Sequence, residues 1–103
     1  MERFLIVYRG APESTPADAP HDPAPWNDWF ERLDGAVVDR GSLSGGAVDI
    51  PSRLLGPKES TSSLSGYSIL SAADFNEIVA LTETCPIYDA GGSLQIARLS
   101  MPL

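Results

Sequence analysis

The chain has 103 residues, 43% hydrophobic and 20% charged, with 14 acidic against 7 basic side chains for a net charge of −7. That length fits a single domain over residues 1–103 with a thin core, and the acidic balance excludes a phosphate-neutralising nucleic-acid binder and a partner for anionic membranes. One cysteine, Cys85, excludes an internal disulfide, and together with one histidine, His21, it makes no metal-ligand signature.

The first predicted element is a strand over Arg3–Arg9, "RFLIVYR", rich in aromatic and β-branched residues. Alternation puts Phe4, Ile6 and Tyr8 on one face and Leu5 and Val7 on the other. Both faces are apolar, so both need cover. The run Phe4–Tyr8 is also too short for a signal-peptide core or a membrane span, which points to the cytoplasm. Residues 10–25 carry five prolines in 16 positions and almost no large apolar side chain. Proline forbids a continuous helix or a central strand there, so this is a long loop, a flap beside a pocket if it is functional.

The stretch Trp26–Gly41 predicts a helix. Trp26, Trp29, Phe30, Leu33 and Val37 repeat at helical spacing, Arg40 favours the C-terminal dipole, and Gly41 supplies a left-handed stop. The tryptophans read as core. A short strand centred on Ala47–Ile50 follows, then a polar loop over residues 51–65. Gly66–Ala72 predicts the next strand. Ser71 is the expected cap of a second amphipathic helix with apolar Phe75, Ile78, Val79, Leu81 and Cys85, which runs through Thr84 and stops at Pro86. Ser93–Met101 predicts the last strand. The order β-α-β, β-α-β predicts an α+β fold, a ferredoxin-like βαββαβ sandwich with both helices on one sheet face. The other face, with Leu5 or Phe4, Ile69 or Leu70, and Leu94 with Ile96 or Leu99, stays apolar and marks a homodimer interface.

Three stretches carry a resemblance: "WNDWFERLDGAVVDRGSLSGG" after the strand "RFLIVY", "LSGYSILSAADFNEIVALTETCP", and "GGSLQIARL". Together they resemble the YCII-related family, in its Asp-Gly-Pro-Phe branch of small dimeric ferredoxin-like proteins. The turn Gly56–Pro57 is kept, with Leu55 and Lys58 where the branch has the acid and the aromatic. The resemblance implies a homodimer of the dimeric α+β barrel type with a cleft near the first helix. Some members of the family act on chlorinated lactones, which points to a small organic acid or lactone as ligand. It matches Asp34 to the aspartate of the family's acid–base pair and offers His21 for its histidine.

From the residues alone, His21 is the one side chain with an ordinary pKa near neutrality, and Asp34 lies at the edge of the first helix's apolar stripe. Tyr8 leads into the proline-rich loop and Trp26 leaves it, so both should border a cleft. Ser65, with the tyrosines, offers a hydroxyl. Walker, dinucleotide-binding and Gly-x-Ser-x-Gly patterns are missing from the sequence, so no cofactor is expected. The expected function is a small-ligand-binding or interaction module; the alternative is an acid–base enzyme acting on a small organic acid or lactone.

Overall fold

A computed structural model describes residues 1–10, 23–44, 47–59 and 64–102. The fold is α+β: a four-stranded antiparallel sheet carries two helices, and a separate two-stranded ribbon stands beside it. The sheet strands are β1 (Glu2–Arg9), β2 (Val37–Leu43), β5 (Leu64–Ala72) and β6 (Ser93–Leu99), in the order β2-β5-β1-β6. The helices are α1 (Ala24–Leu33) and α2 (Phe75–Thr82), and the ribbon pairs β3 (Val48–Asp49) with β4 (Lys58–Glu59). The connection β1-α1-β2 skips one position in the sheet, which β5 fills. The connection β5-α2-β6 skips another, which β1 fills.

The alternation read in β1 sorts its faces. Phe4, Ile6 and Tyr8 are buried, and the register sets them beside Leu70, Ser68 and Gly66 of β5. With Trp29 and Phe30 of α1, Ile78 of α2, Cys85 and Ile87 they form the core. The same register puts Leu94 and Ile96 on the helix-covered face, opposite Tyr8 and Ile6. The helix-free face keeps Leu5, Val7 and Ile69, which are half-buried, with Tyr67 40% and Leu99 45% exposed. At the far end of the sheet Phe75 meets Phe4 edge-on at 5.1 Å, and Arg98 lies over the Phe75 ring while pairing with Glu2 at 3.3 Å.

The expected helix over Trp26–Gly41 is corrected. α1 stops at Leu33, and a 3-10 turn spans Asp34–Ala36. Asp34 has φ 47°, a conformation Asp tolerates better than bulkier residues, and Gly35 follows it. The β-branched Val37 then pairs with β5, opposite Leu70. Val37–Leu43 is therefore a sheet strand. The short strand expected near Ala47–Ile50 lies in the ribbon instead.

The second helix is capped three residues later than expected. Ser71 remains in β5, and Asp74 is the N-cap, its carboxylate accepting the Glu77 N–H at 2.8 Å. The helix ends at Thr82, whose hydroxyl donates to the Ile78 and Val79 carbonyls at 3.0 Å. Cys85 is buried just beyond, and burial pushes its thiol up from 9.0 to about 12. A thiol that stays protonated in the fold but ionises in the unfolded chain lowers stability as pH rises. That loss begins near the unfolded value of 9.0 and continues to about 12. The expected slope there is on the order of 1 kcal/mol per pH unit. Urea unfolding at stepped alkaline pH should show that slope reduced in Cys85→Ala; an identical pH dependence would mean the thiol is not the group responsible.

Candidate functional site

Two local facts build the site. Tyr8 stands at the end of β1 where the chain leaves the sheet, and Trp26 stands in the first turn of α1 where it returns. Their rings meet edge-on, centroids 4.9 Å apart. Trp26 also lies 6.0 Å from Trp29 and 6.2 Å from Phe30, so one aromatic cluster runs along α1 from cavity to core. Between this cluster, β2 and β5 lies a cavity of about 190 Å³. Tyr8, Trp26, Asn27, Phe30, Arg40 and Ser68 line it.

The cavity has a polar floor and a cationic rim. At the floor the Tyr8 hydroxyl donates to Ser68 Oγ at 2.7 Å, and Ser68 in turn donates to the Arg40 carbonyl at 2.5 Å. Both side chains are essentially fully buried, and burial raises the Tyr8 phenol above the tyrosine range, so it stays protonated. At the rim the Arg40 guanidinium lies 5.2 Å from the Phe30 ring centroid and donates to Asn27 Oδ1 at 3.1 Å. A cation over an aromatic face gains about 0.5–1 kcal/mol where exposed, enough to bias the long side chain toward the cavity. Gly41 shapes the wall behind it. Its φ is +72°, its N–H donates to Asp39 Oδ1 at 2.8 Å, and a Cβ there would collide with the Tyr67 carbonyl of β5.

Of the residues singled out in the sequence, Tyr8 and Trp26 line this cavity and touch each other. Ser65 lies three positions before Ser68 on β5, outside the lining, and its carbonyl accepts the Ser44 N–H at 2.7 Å. Asp34 is exposed at the opposite end of α1 and does not line the cavity. The helix ends before that position, so no helical face turns it toward the sheet. His21 lies outside the described residues.

Arg40, Asn27, Phe30 and Ser68 complete the site. Ser68 carried a legible signal, a hydroxyl on the strand face that otherwise reads Leu70 and Ala72. Arg40 did not, because its role depends on Val37–Leu43 being a strand.

Comparison with protein families, with curated proteins and with solved structures returned no match. Among the described residues no helix is long and apolar enough to cross a membrane.

Proposed function

We propose that this chain is a small-ligand-binding protein that works as a homodimer, cytoplasmic and of the YCII-related, ferredoxin-like kind. The observation that carries the ligand-binding reading is the cavity itself: aromatic walls from Tyr8, Trp26 and Phe30 enclose a few convergent polar groups, the usual composition of small-molecule sites. The strand order β2-β5-β1-β6, all antiparallel, supports the ferredoxin-like reading. The half-buried Leu5, Val7 and Ile69 on the helix-free face support the dimer, since a second sheet packed there would remove them from water. The single cysteine accords with a reducing compartment. The acid–base alternative draws on Asp34 and His21, and Asp34 stands apart from the cavity.

Both halves of this reading meet a direct test. Light scattering at micromolar concentration should give twice the 11.0 kDa chain mass; a stable 11.0 kDa species would remove the dimer. A library of monocyclic fragments, watched through the indole N–H resonances, should include members that shift Trp26 saturably and Trp29 less. A library with no saturable shift at millimolar concentration would remove the ligand-binding reading. Turnover of lactones or halogenated acids that is lost in Asp34→Asn would restore the enzyme alternative.

A further inference from the structure

Resting on the homodimer reading, we infer that the β3–β4 ribbon is an arm for a second copy of this chain: in a twofold dimer, Leu54 and Leu55 of one protomer pack against the end of the partner's sheet that carries Leu99 and Met101. Position comes first. β2 and β5 are the two sides of one hairpin, and β3 and β4 lie between them in the chain, so the ribbon prolongs that hairpin beyond the sheet. The Ser44 N–H, donated to the Ser65 carbonyl at 2.7 Å, closes the hairpin at its base. Among the described residues no strand of the four-stranded sheet pairs with the ribbon. A lone two-stranded ribbon is marginal in water and needs a packed neighbour.

The ribbon's side chains come second. Its tip is a built turn: the Gly56 N–H donates to the Ser52 carbonyl at 3.0 Å, the Leu55 N–H donates to Ser52 Oγ at 3.0 Å, and Gly56 takes the left-handed φ of +68° that closes the turn. This turn holds Leu54 at 94% and Leu55 at 73% exposure, and Val48 and Ile50 behind it are each 65% exposed. Four large aliphatic side chains within eight positions, ordered yet facing water, mark a contact surface. Charge selects the occupant. Arg53 and Lys58 balance Asp49 and Glu59 within the ribbon, so the whole net charge of −7 lies on the rest of the chain. Two such bodies repel each other, and a neutral apolar arm joins them with the least repulsion.

The landing place comes third. The strand register divides the sheet into two ends: Tyr8, Gly66 and Leu94 at the ribbon end, Glu2, Ala72 and Leu99 at the other. At that other end Leu99 is 45%, Met101 86% and Met1 89% exposed. The helix-free face between the ends, four strands wide, measures about 500 Å², and Arg3 and Gln95 interrupt its apolar residues. A stable interface takes about 800 Å² from each partner, so stacked sheets alone fall short and the arms supply the difference. Two sheets stack about a twofold axis that runs either along the strands or across them. Along the strands, both ribbons leave by the same end and miss both sheets. Across the strands, the partner's strands run in reverse, and each ribbon passes over the other protomer's Leu99–Met101 end. The second arrangement covers both apolar surfaces, and symmetry makes the contact twice.

The test uses the full chain. Wild type should dimerise, and a variant carrying both Leu54→Asp and Leu55→Asp should show a dimer dissociation constant raised at least about tenfold, the ratio that about 1.4 kcal/mol produces. An unchanged Trp29 indole resonance in that variant reports an intact fold. Placement is read separately. A spin label on Arg53→Cys leaves both leucines in place, and Cys85 is buried away from the reagent. Mixed with wild type carrying methyl-labelled methionine, the spin-labelled protein should broaden the signals of Met1 and Met101, the chain's two methionines, across the dimer. If the mixed dimer forms and neither signal broadens, the arm does not reach that end and the inference falls, while the dimer reading stands. If the double aspartate variant dimerises as tightly as wild type, the arm is likewise overturned and the sheet-to-sheet dimer stands. If wild type is an 11.0 kDa species at micromolar concentration, both are overturned.

Discussion

Trp29→Ala should cost this domain about 3–5 kcal/mol, the range for deleting a large buried aromatic. The ring is fully buried, touches Phe30 at 5.0 Å and belongs to the cluster that ties α1 to the sheet. A small domain holds only about 5–15 kcal/mol in total, so the melting temperature should fall by more than 10 °C, on the order of several degrees per kcal/mol. Trp29→Phe should cost less than the alanine variant. It keeps most of the volume and removes an indole N–H that is buried without an acceptor among the described residues. Asp34→Asn is the control: Asp34 is exposed, Asn tolerates its positive φ as Asp does, and the change should stay within about 0.5 kcal/mol. Equal melting temperatures for Trp29→Ala and Asp34→Asn would mean that α1 presents a different face to the sheet.

Gly41→Ala is the second large effect expected, and here the backbone is the cause. At φ +72° any other residue is strained, by about 1–3 kcal/mol. The added methyl would also meet the Tyr67 carbonyl and the Ser68 Cα, backbone atoms of β5 that can move only by parting the two strands. Overpacking of that kind adds about 1–3 kcal/mol. β2 lies at the sheet edge, so the expected response is a shift of β2 away from β5 that carries Arg40 off the cavity rim. Thermal unfolding should show the loss of stability, amide exchange should show faster opening of β2, and binding of the fragments that shift Trp26 should weaken. Gly35→Ala is the matched comparison: nothing lies within 4 Å of a Cβ there and its φ is not in the left-handed region, so its effect should stay within about 0.5 kcal/mol. A Gly41→Ala protein that melts with wild type would show that β2 and β5 are not in close contact at this point.

What the sequence by itself determined follows from side-chain periodicity. The alternation in Arg3–Arg9 is enough to assign both faces of β1, because a period of two leaves no other arrangement. The i, i+3, i+4 spacing of Trp26, Trp29 and Phe30 is enough to start α1 and to bury Trp29. The α+β class follows from the order of these elements.

Tertiary structure alone decided where α1 ends and what stands at the cavity. Val37 fits the apolar stripe of a longer α1 and a strand equally well, so periodicity does not choose between them. Pairing with Leu70 of β5 chooses, and it turns Arg40 from a helix-end charge into the cation over Phe30. Gly41 likewise reads as a helix stop in isolation, and only the nearness of the Tyr67 carbonyl shows that its missing side chain makes room for a neighbouring strand. Asp34 was favoured by its place beside the apolar stripe, but the turn at that residue leaves it in solvent at the far end of α1 from the cavity. The Tyr8–Ser68 bond joins residues 60 positions apart. Local patterns report which face a side chain takes; which groups meet across the sheet depends on strand order and register, and those are set by pairing energies spread over the whole chain.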